Sequence, residues 1–446
     1  MVATAVAALV LSIGVMANVA RCDNRLIQQE ESHRLGLVRA WFAQVQLDRA
    51  RNHVERAVLE GDRLTVLTSA GLVQQFNALT GAVLWTAAIG NENHPSLGPA
   101  CSDKHVALVN GSTLYVLDRA DGRPVLIRRI GGAPGAAPAL TDKYVFVPLA
   151  SGRIEGYPLQ GKILTPWYYQ SQGRTMVAPL ATPQSVVWTT DQGLLYVGSS
   201  DPPKMRFRLE TGSEIVAPPA YLKPFVYVAS TSGEVFAMQE MTGARRWKYA
   251  TGFPITRAAA PVGKRVFVTS QEPALHCIEA ETGNALWQAP HMSEFAAASK
   301  DRVYGVDDLG ALVVLDGAKG TQLGRFAADH VINTLVNDQT DRIYLISDEG
   351  VIECLHEKGA KEPFYHNPKA AEPETPADGE KPAPAAAPAE KPKAKPKPKA
   401  TDAADEEPPA DKPNPPADAD KPAKPAEKTD AFGVEDSGNP FGDSAK

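Results

Sequence analysis

Residues 77–90 read NALTGAVLWTAAIG, and the arrangement returns in QEMTGARRWKYATG (239–252) and EAETGNALWQA (279–289). Each time a Thr-Gly pair is followed, four residues after the glycine, by a tryptophan: Trp85, Trp247 and Trp287. Indoles converging on one point would cage a planar cofactor, whereas indoles strung along a repeat would seal the joints of a scaffold. Other residues able to do chemistry are sparse. Arg174 and Arg257 each stand three or four residues ahead of an Ala-Pro pair and are the two candidates for gripping a small anionic ligand at a channel mouth. Asp191-Gln192-Gly193, Asp308-Leu309-Gly310 and Asp348-Glu349-Gly350 offer one or two carboxylates apiece, too few for a calcium loop, which draws several oxygens from one short segment. They read as hairpin turns instead. Cys22, Cys101, Cys277 and Cys354 are too scattered for a zinc site or a disulfide framework, and the nine histidines form neither HxH nor HExxH. No catalytic, metal-binding or cofactor-binding residue is expected, and His276 and His356 are expected as partly exposed strand residues.

The elements that position these residues form a repeat. An apolar strand, a tight turn and a second strand recur in eight copies, from DRLTVLTSAGLVQQFNA (62–78) to DRIYLISDEGVIECLHEKG (341–359). The turns align at Gly71, Ser112, Gly152, Gly193, Gly233, Pro273, Gly310 and Gly350, at steps of 41, 40, 41, 40, 40, 37 and 40 residues. Between copies lie segments rich in alanine, such as GAAPALT (135–141), VAPLAT (177–182), RAAAPVG (257–263) and EFAAASK (294–300), whose small side chains suit an innermost strand where blades converge. The stretch after each Thr-Gly turn supplies an outer strand. Four strands per unit of about 40 residues mark a β-propeller blade. The fold class is therefore all-β: an eight-bladed propeller of four-stranded blades, with seven blades as the alternative. LVRAWFAQVQLD (37–48) lies ahead of the first copy and is expected to close the ring beside the last blade, which lacks an outer strand of its own.

Within such a ring Trp85, Trp247 and Trp287 fall on different blades and cannot share a ligand. They are expected as buried joints between adjacent blades, each indole placing its N–H on a backbone carbonyl. Cys277 and Cys354 occupy one repeat position, four residues after the aligned turn, and read as small buried packing residues. Thr211-Gly212 arrives too late after Gly193 to be the turn of its copy; SSDPPK (199–204) takes that place, and Thr211-Gly212 leads into the next blade.

The flanks differ in kind. The first twenty residues carry no charge, so residues 1–22 read as a signal peptide or membrane anchor and 23–36 as a linker to a propeller over 37–362. Residues 363–446 are dominated by Pro, Ala, Lys, Glu and Asp, too few of them apolar to offset chain entropy, and read as a disordered arm that serves as a solvated spacer, the alternative being a spacer that carries NPFGD (439–443) to a partner. From residue 367 onward twelve lysines face seventeen acidic residues, which accounts for five of the six net negative charges and leaves the folded part close to neutral. That balance excludes nucleic-acid binding through a basic surface.

The blades GEVFAMQEMTGARRW (233–247) and ALHCIEAETGNALW (274–287) resemble the PQQ-like, quinoprotein-type β-propeller repeat, and the resemblance extends over roughly residues 37–361. One branch of that family, the quinoprotein dehydrogenases, implies pyrroloquinoline quinone with calcium, a disulfide between neighbouring cysteines and an Asp base; this chain has no neighbouring cysteines. The other, BamB-like branch implies a non-enzymatic scaffold of outer-membrane β-barrel assembly. The resemblance thus implies a monomeric, extracytoplasmic propeller of the periplasm or membrane-anchored envelope, with protein partners on its face or tail, no cofactor and no catalysis. A quinone-dependent dehydrogenase and a propeller that senses a small ligand are the alternatives.

Overall fold

The computed structural model describes residue 27 and residues 29–160, 165–326, 333–347 and 349–367. The expected leader (1–22), nearly all of the arm (368–446) and its NPFGD segment lie outside the described residues.

Period-two alternation and tight turns build short strands, and those strands assemble into eight four-stranded antiparallel sheets among the described residues. Seven of them follow the chain: blade 1 over residues 54–88, blade 2 over 96–129, blade 3 over 139–170, blade 4 over 180–210, blade 5 over 220–250, blade 6 over 260–290 and blade 7 over 292–326. Blade 8 is made from both ends. Its inner three strands, Asn333–Thr334, Ile343–Ile346 and Val351–Glu357, come last in the chain, and its outermost strand is Leu37–Gln44. That strand runs antiparallel to Val351–Glu357, with Leu37 opposite Glu357 and Gln44 opposite Val351. The ring has eight blades and is closed by the N-terminal strand, as expected, and the seven-blade alternative falls.

The aligned turns are the hairpins between the second and third strands. Gly71, Gly111, Gly152, Gly193, Gly233, Gly310 and Gly350 all have positive φ there, the conformation glycine adopts without a Cβ penalty. The Ala-rich segments supply innermost strands, as in Ala139–Leu140, Leu180–Ala181 and Ala260–Val262. Each innermost strand ends its sheet and lies beside the innermost strand of a neighbouring blade, so these strands ring a central channel. Pro203 pairs with Ser200 across the SSDPPK turn, and Thr211 follows the outer strand Pro203–Glu210, as expected.

Closure rests on more than strand pairing. The carboxylate of Glu353, 3 % exposed, receives the Arg39 guanidinium at 2.5 Å and the Ile27 N–H at 3.3 Å, while Arg39 also donates to the Ile27 carbonyl at 2.6 Å. Burial raises the Glu353 pKa even against the pull of Arg39. The short helix Gln29–Arg34 leads into the closing strand. At the other end the chain turns back over blade 8: Thr340 bridges Tyr365, the Phe364 N–H donates to Asp341 Oδ1 at 3.0 Å and the His366 N–H to the Gln339 carbonyl at 3.0 Å.

His276 corrects an expectation. It is 2 % exposed, with its Nδ1 3.1 Å from the Tyr249 hydroxyl of the preceding blade, whereas His356 is half-buried. A blade in a ring is covered by a neighbour on each face, so strand alternation leaves the middle strands no exposed side.

Candidate functional site

The tryptophans occupy the outermost strands. Trp85 of blade 1 donates its indole N–H to the Arg119 carbonyl of blade 2 at 2.9 Å; Trp247 of blade 5 donates to Ala280 of blade 6 at 2.9 Å, and Trp287 of blade 6 to Gly317 of blade 7 at 3.0 Å. Trp41 of the closing strand does the same across the ring junction, to Ala78 of blade 1 at 3.0 Å. In every case a glycine stands three residues after the acceptor, and the ring lies on it: Gly122 under Trp85, Gly283 under Trp247, Gly320 under Trp287 and Gly81 under Trp41. A Cβ on Gly122 would sit 2.5 Å from the Trp85 ring, and one on Gly283 2.7 Å from that of Trp247. The glycine of this turn, preceded by Thr at Gly81 and Gly283, by Asp121 at Gly122 and by Lys319 at Gly320, therefore serves two ends, a positive φ and a flat seat for the neighbouring indole.

Strand register extends the joint to blades where the Thr-Gly spacing hides it. The third-strand residue four after the aligned turn lies opposite Trp85, Trp247 and Trp287 in blades 1, 5 and 6; the same position lies opposite Leu126 in blade 2, Trp167 in blade 3, Phe207 in blade 4, Gly324 in blade 7 and Trp41 in blade 8. Trp167 and Phe207 were missed because the turns before them depart from Thr-Gly, although they follow Leu126 at steps of 41 and 40 residues. Phe207 rests on Gly243 of blade 5, and Trp167 meets Trp188 of blade 4 edge-on at 6.5 Å. Leu35 fills the room left by Gly324. Burying an indole removes about 200 Å2 from water, roughly 5 kcal/mol at ~25 cal/mol per Å2 before ordering costs. Five indoles on five different outermost strands do not converge on the axis, so a ring cofactor in the channel would have none of them to stack on.

Cys277 and Cys354 lie opposite Trp287 and Trp41, at 0 % and 1 % exposure, and burial pushes each thiol up to about 12. The Asp191 and Asp308 turns are hairpins between strands, and no group of three or more His, Cys, Asp or Glu side chains suited to a metal ion occurs among the described residues.

The candidate arginines are not brought together. Arg174 donates through Nε to Asp191 Oδ2 at 2.8 Å, and this bond holds the Asp191 carboxyl below its ordinary range. Arg257 pairs with Glu294 at 2.6 Å. Asp191 belongs to blade 4, which Arg174 leads into, and Glu294 to blade 7, one beyond the blade that Arg257 leads into, and neither arginine is among the residues lining the channel cavities. The channel has two ends of different character. Around the starts of the innermost strands a cavity of about 300 Å3 is lined by small and aliphatic side chains, Ser96 and backbone, with Glu55 and Arg56 on one side. Around their far ends a cavity of about 490 Å3 is lined by Glu60, Asp103, Asp142, Lys143, Asp201 and several hydroxyls, Lys143 being paired with Asp201.

Comparison with known proteins follows the architecture. The PQQ-like repeat family described as outer membrane protein assembly factor BamB matches residues 69–219 and 231–352. The chain is 25 % identical over 267 residues to the outer membrane protein assembly factor BamB of Burkholderia pseudomallei, which covers 54 % of this chain and 68 % of that protein. Among solved structures, BamB from Moraxella catarrhalis superposes with a TM-score of 0.58 at 18 % identity, covering 72 % of this chain and 99 % of that one. The computationally designed Ika8 protein superposes at 0.56 with 17 % identity over 70 % of this chain and 98 % of its own. At such identities the superpositions speak for the fold alone.

Proposed function

The chain belongs to the PQQ-like repeat family described as outer membrane protein assembly factor BamB, and from that premise we propose that it is a non-catalytic propeller scaffold of the bacterial cell envelope, holding a protein partner during outer-membrane protein assembly. One observation carries the reading: the family match runs through hairpins of all eight blades, from the blade 1 turn to the last strand of blade 8. The aromatic residues that looked like a cofactor cage are spent on blade joints, which favours a rigid disc over an enzyme pocket. Such a disc offers loops on two faces and outer strand edges at its rim, where exposed Val83, Val125 and Ile127 stand ready to receive an added strand. Residues 1–22 would direct the chain out of the cytoplasm or anchor it; among the described residues no helix is long and apolar enough to cross a membrane.

The test is cross-linking in the native envelope with an affinity-tagged full chain at its natural level, followed by identification of captured proteins. Recovery of outer-membrane assembly components is the expected result, and their absence from the captured set sinks the assembly role. Purified chain mixed with pyrroloquinoline quinone and calcium is expected to show no dye-linked oxidation of alcohols or sugars; turnover there would establish the dehydrogenase reading instead.

A further inference from the structure

We propose that the channel end beside Arg56 is a binding site for the carboxylate of an apolar, extended ligand. Arg56 lies on the innermost strand Val54–Glu60 of blade 1, just after a bulge that shifts the register between Val54 and Arg56. It is exposed and lines two adjoining cavities of about 300 and 160 Å3, to which no other cationic side chain contributes among the described residues. Among the described residues no hydrogen-bond or ion-pair partner engages its guanidinium. Its neighbour Glu55 is turned to His53, with Oε2 3.3 Å from Nε2. Arg174 and Arg257, by contrast, are already held by Asp191 and Glu294.

Three features of this end define the ligand. A guanidinium presents a planar fork that matches a carboxylate with two parallel hydrogen bonds. Several side chains that face it, Leu97, Ala137, Met176, Val177 and Val216 of four other blades or their approaches, are apolar, so the ligand's own side chains are apolar too. The innermost strands are sheet edges, whose channel-side N–H and C=O groups have no ladder partner among the described residues and can pair with an extended backbone. The volume lies at the lower end of ligand pockets, roughly 300–1,000 Å3, which suits the last residues of a peptide or one small acid. Both sources share the recognised chemistry, an apolar carboxylate. The inference is independent of the assembly role: capture of envelope partners by an Arg56→Gln chain separates the two.

The experiment titrates the full chain against a fluorescein-labelled tetrapeptide Ala-Val-Val-Leu with a free carboxyl terminus and against its C-terminal amide, read by fluorescence anisotropy. The free acid is expected to saturate at least about tenfold more tightly than the amide, which corresponds to about 1.4 kcal/mol. Arg56→Gln is expected to erase that preference, while Arg174→Gln, outside the cavity, keeps it. Displacement of the labelled acid by N-acetylleucine would assign the site to small free acids, and failure to displace it to peptide ends; both support the carboxylate site. Equal binding of acid and amide to the unaltered chain, no saturable binding of either up to about 1 mM, or a preference that survives Arg56→Gln overturns it.

Discussion

Gly283 and Gly252 provide a matched pair for testing the blade joint. Both have strongly positive φ, +79° and +86°, so alanine at either pays the left-handed backbone cost of about 1–2 kcal/mol. Their surroundings differ. Nothing lies within 4 Å of a Cβ at Gly252, whereas a Cβ at Gly283 would meet three atoms of Trp247 at 2.7–2.9 Å, with the ring held by its hydrogen bond to Ala280. Overpacking of this kind costs about 1–3 kcal/mol. Gly283→Ala is therefore expected to destabilise by about 2–5 kcal/mol and Gly252→Ala by about 1–2 kcal/mol, measured by urea denaturation. Trp247→Leu supplies the third arm, since leucine stands at this register position in blade 2 as Leu126. In that background Gly283→Ala should lose the packing cost and keep only the backbone cost, a coupling of about 1–3 kcal/mol. Equal costs for the two glycines, or no coupling between Gly283→Ala and Trp247→Leu, would refute the assignment of the Thr-Gly glycine as a seat for the neighbouring indole.

Arg39→Ala leaves Glu353 buried without its cation and is expected to cost about 3–5 kcal/mol, with faster hydrogen exchange confined first to residues 37–44 and 351–357; unchanged exchange there would show that pairing alone closes the ring. Cys277 and Cys354, with thiols pushed up to about 12 by burial, should resist a thiol reagent in the native chain and react once it is unfolded in urea, as followed by mass spectrometry of the labelled peptides; rapid native labelling would contradict their burial. Burial lowers the pKa of His276 and of His105 below the ordinary imidazole value near 6.5. Between the lowered folded value and ~6.5 the unfolded chain binds more protons, so stability is fully present above that window and is lost as pH falls through it. The urea midpoint should therefore drop between pH 7.5 and 5.5 (about one unit either side of the free imidazole value), and His276→Gln should flatten the drop; an identical slope in the variant would remove His276 as its source.

The hairpins, the small innermost strands and the ring closure were legible because each is a local, periodic property: a turn glycine every 40 residues or so, alanines where blades crowd together, and a lone strand ahead of the first copy. Burial of the tryptophans as joints followed from that period together with the outer-strand place of the segment after each turn, since equivalent positions of outer strands stay apart at the rim. The rest was hidden for physical reasons that particular residues make plain. Trp167 and Phe207 belong to the joint by register, but register is counted from hydrogen-bonded partners and not from the variable turns that precede them. His276 looked like half of an alternating strand and is buried because a second blade covers the other side.

Charge pairing was the least legible. Arg174 and Arg257 stood out by their place before the Ala-Pro segments, yet the ring brings Asp191 and Glu294 against them, while Arg56, with no motif around it, is left facing the channel. Arg39 and Glu353 are 314 residues apart and touch only because the ring closes on itself. The sequence by itself determined the repeat and its eight copies and pointed to the strand that joins the ends, because these depend on patterns within about 40 residues. The eight-blade closure over seven was decided by the pairing of Leu37–Gln44 with Val351–Glu357. Which charges are neutralised and which remain free was decided by the tertiary structure, because an ion pair depends on a few ångströms of separation and no periodicity in the chain encodes what a closed ring places opposite.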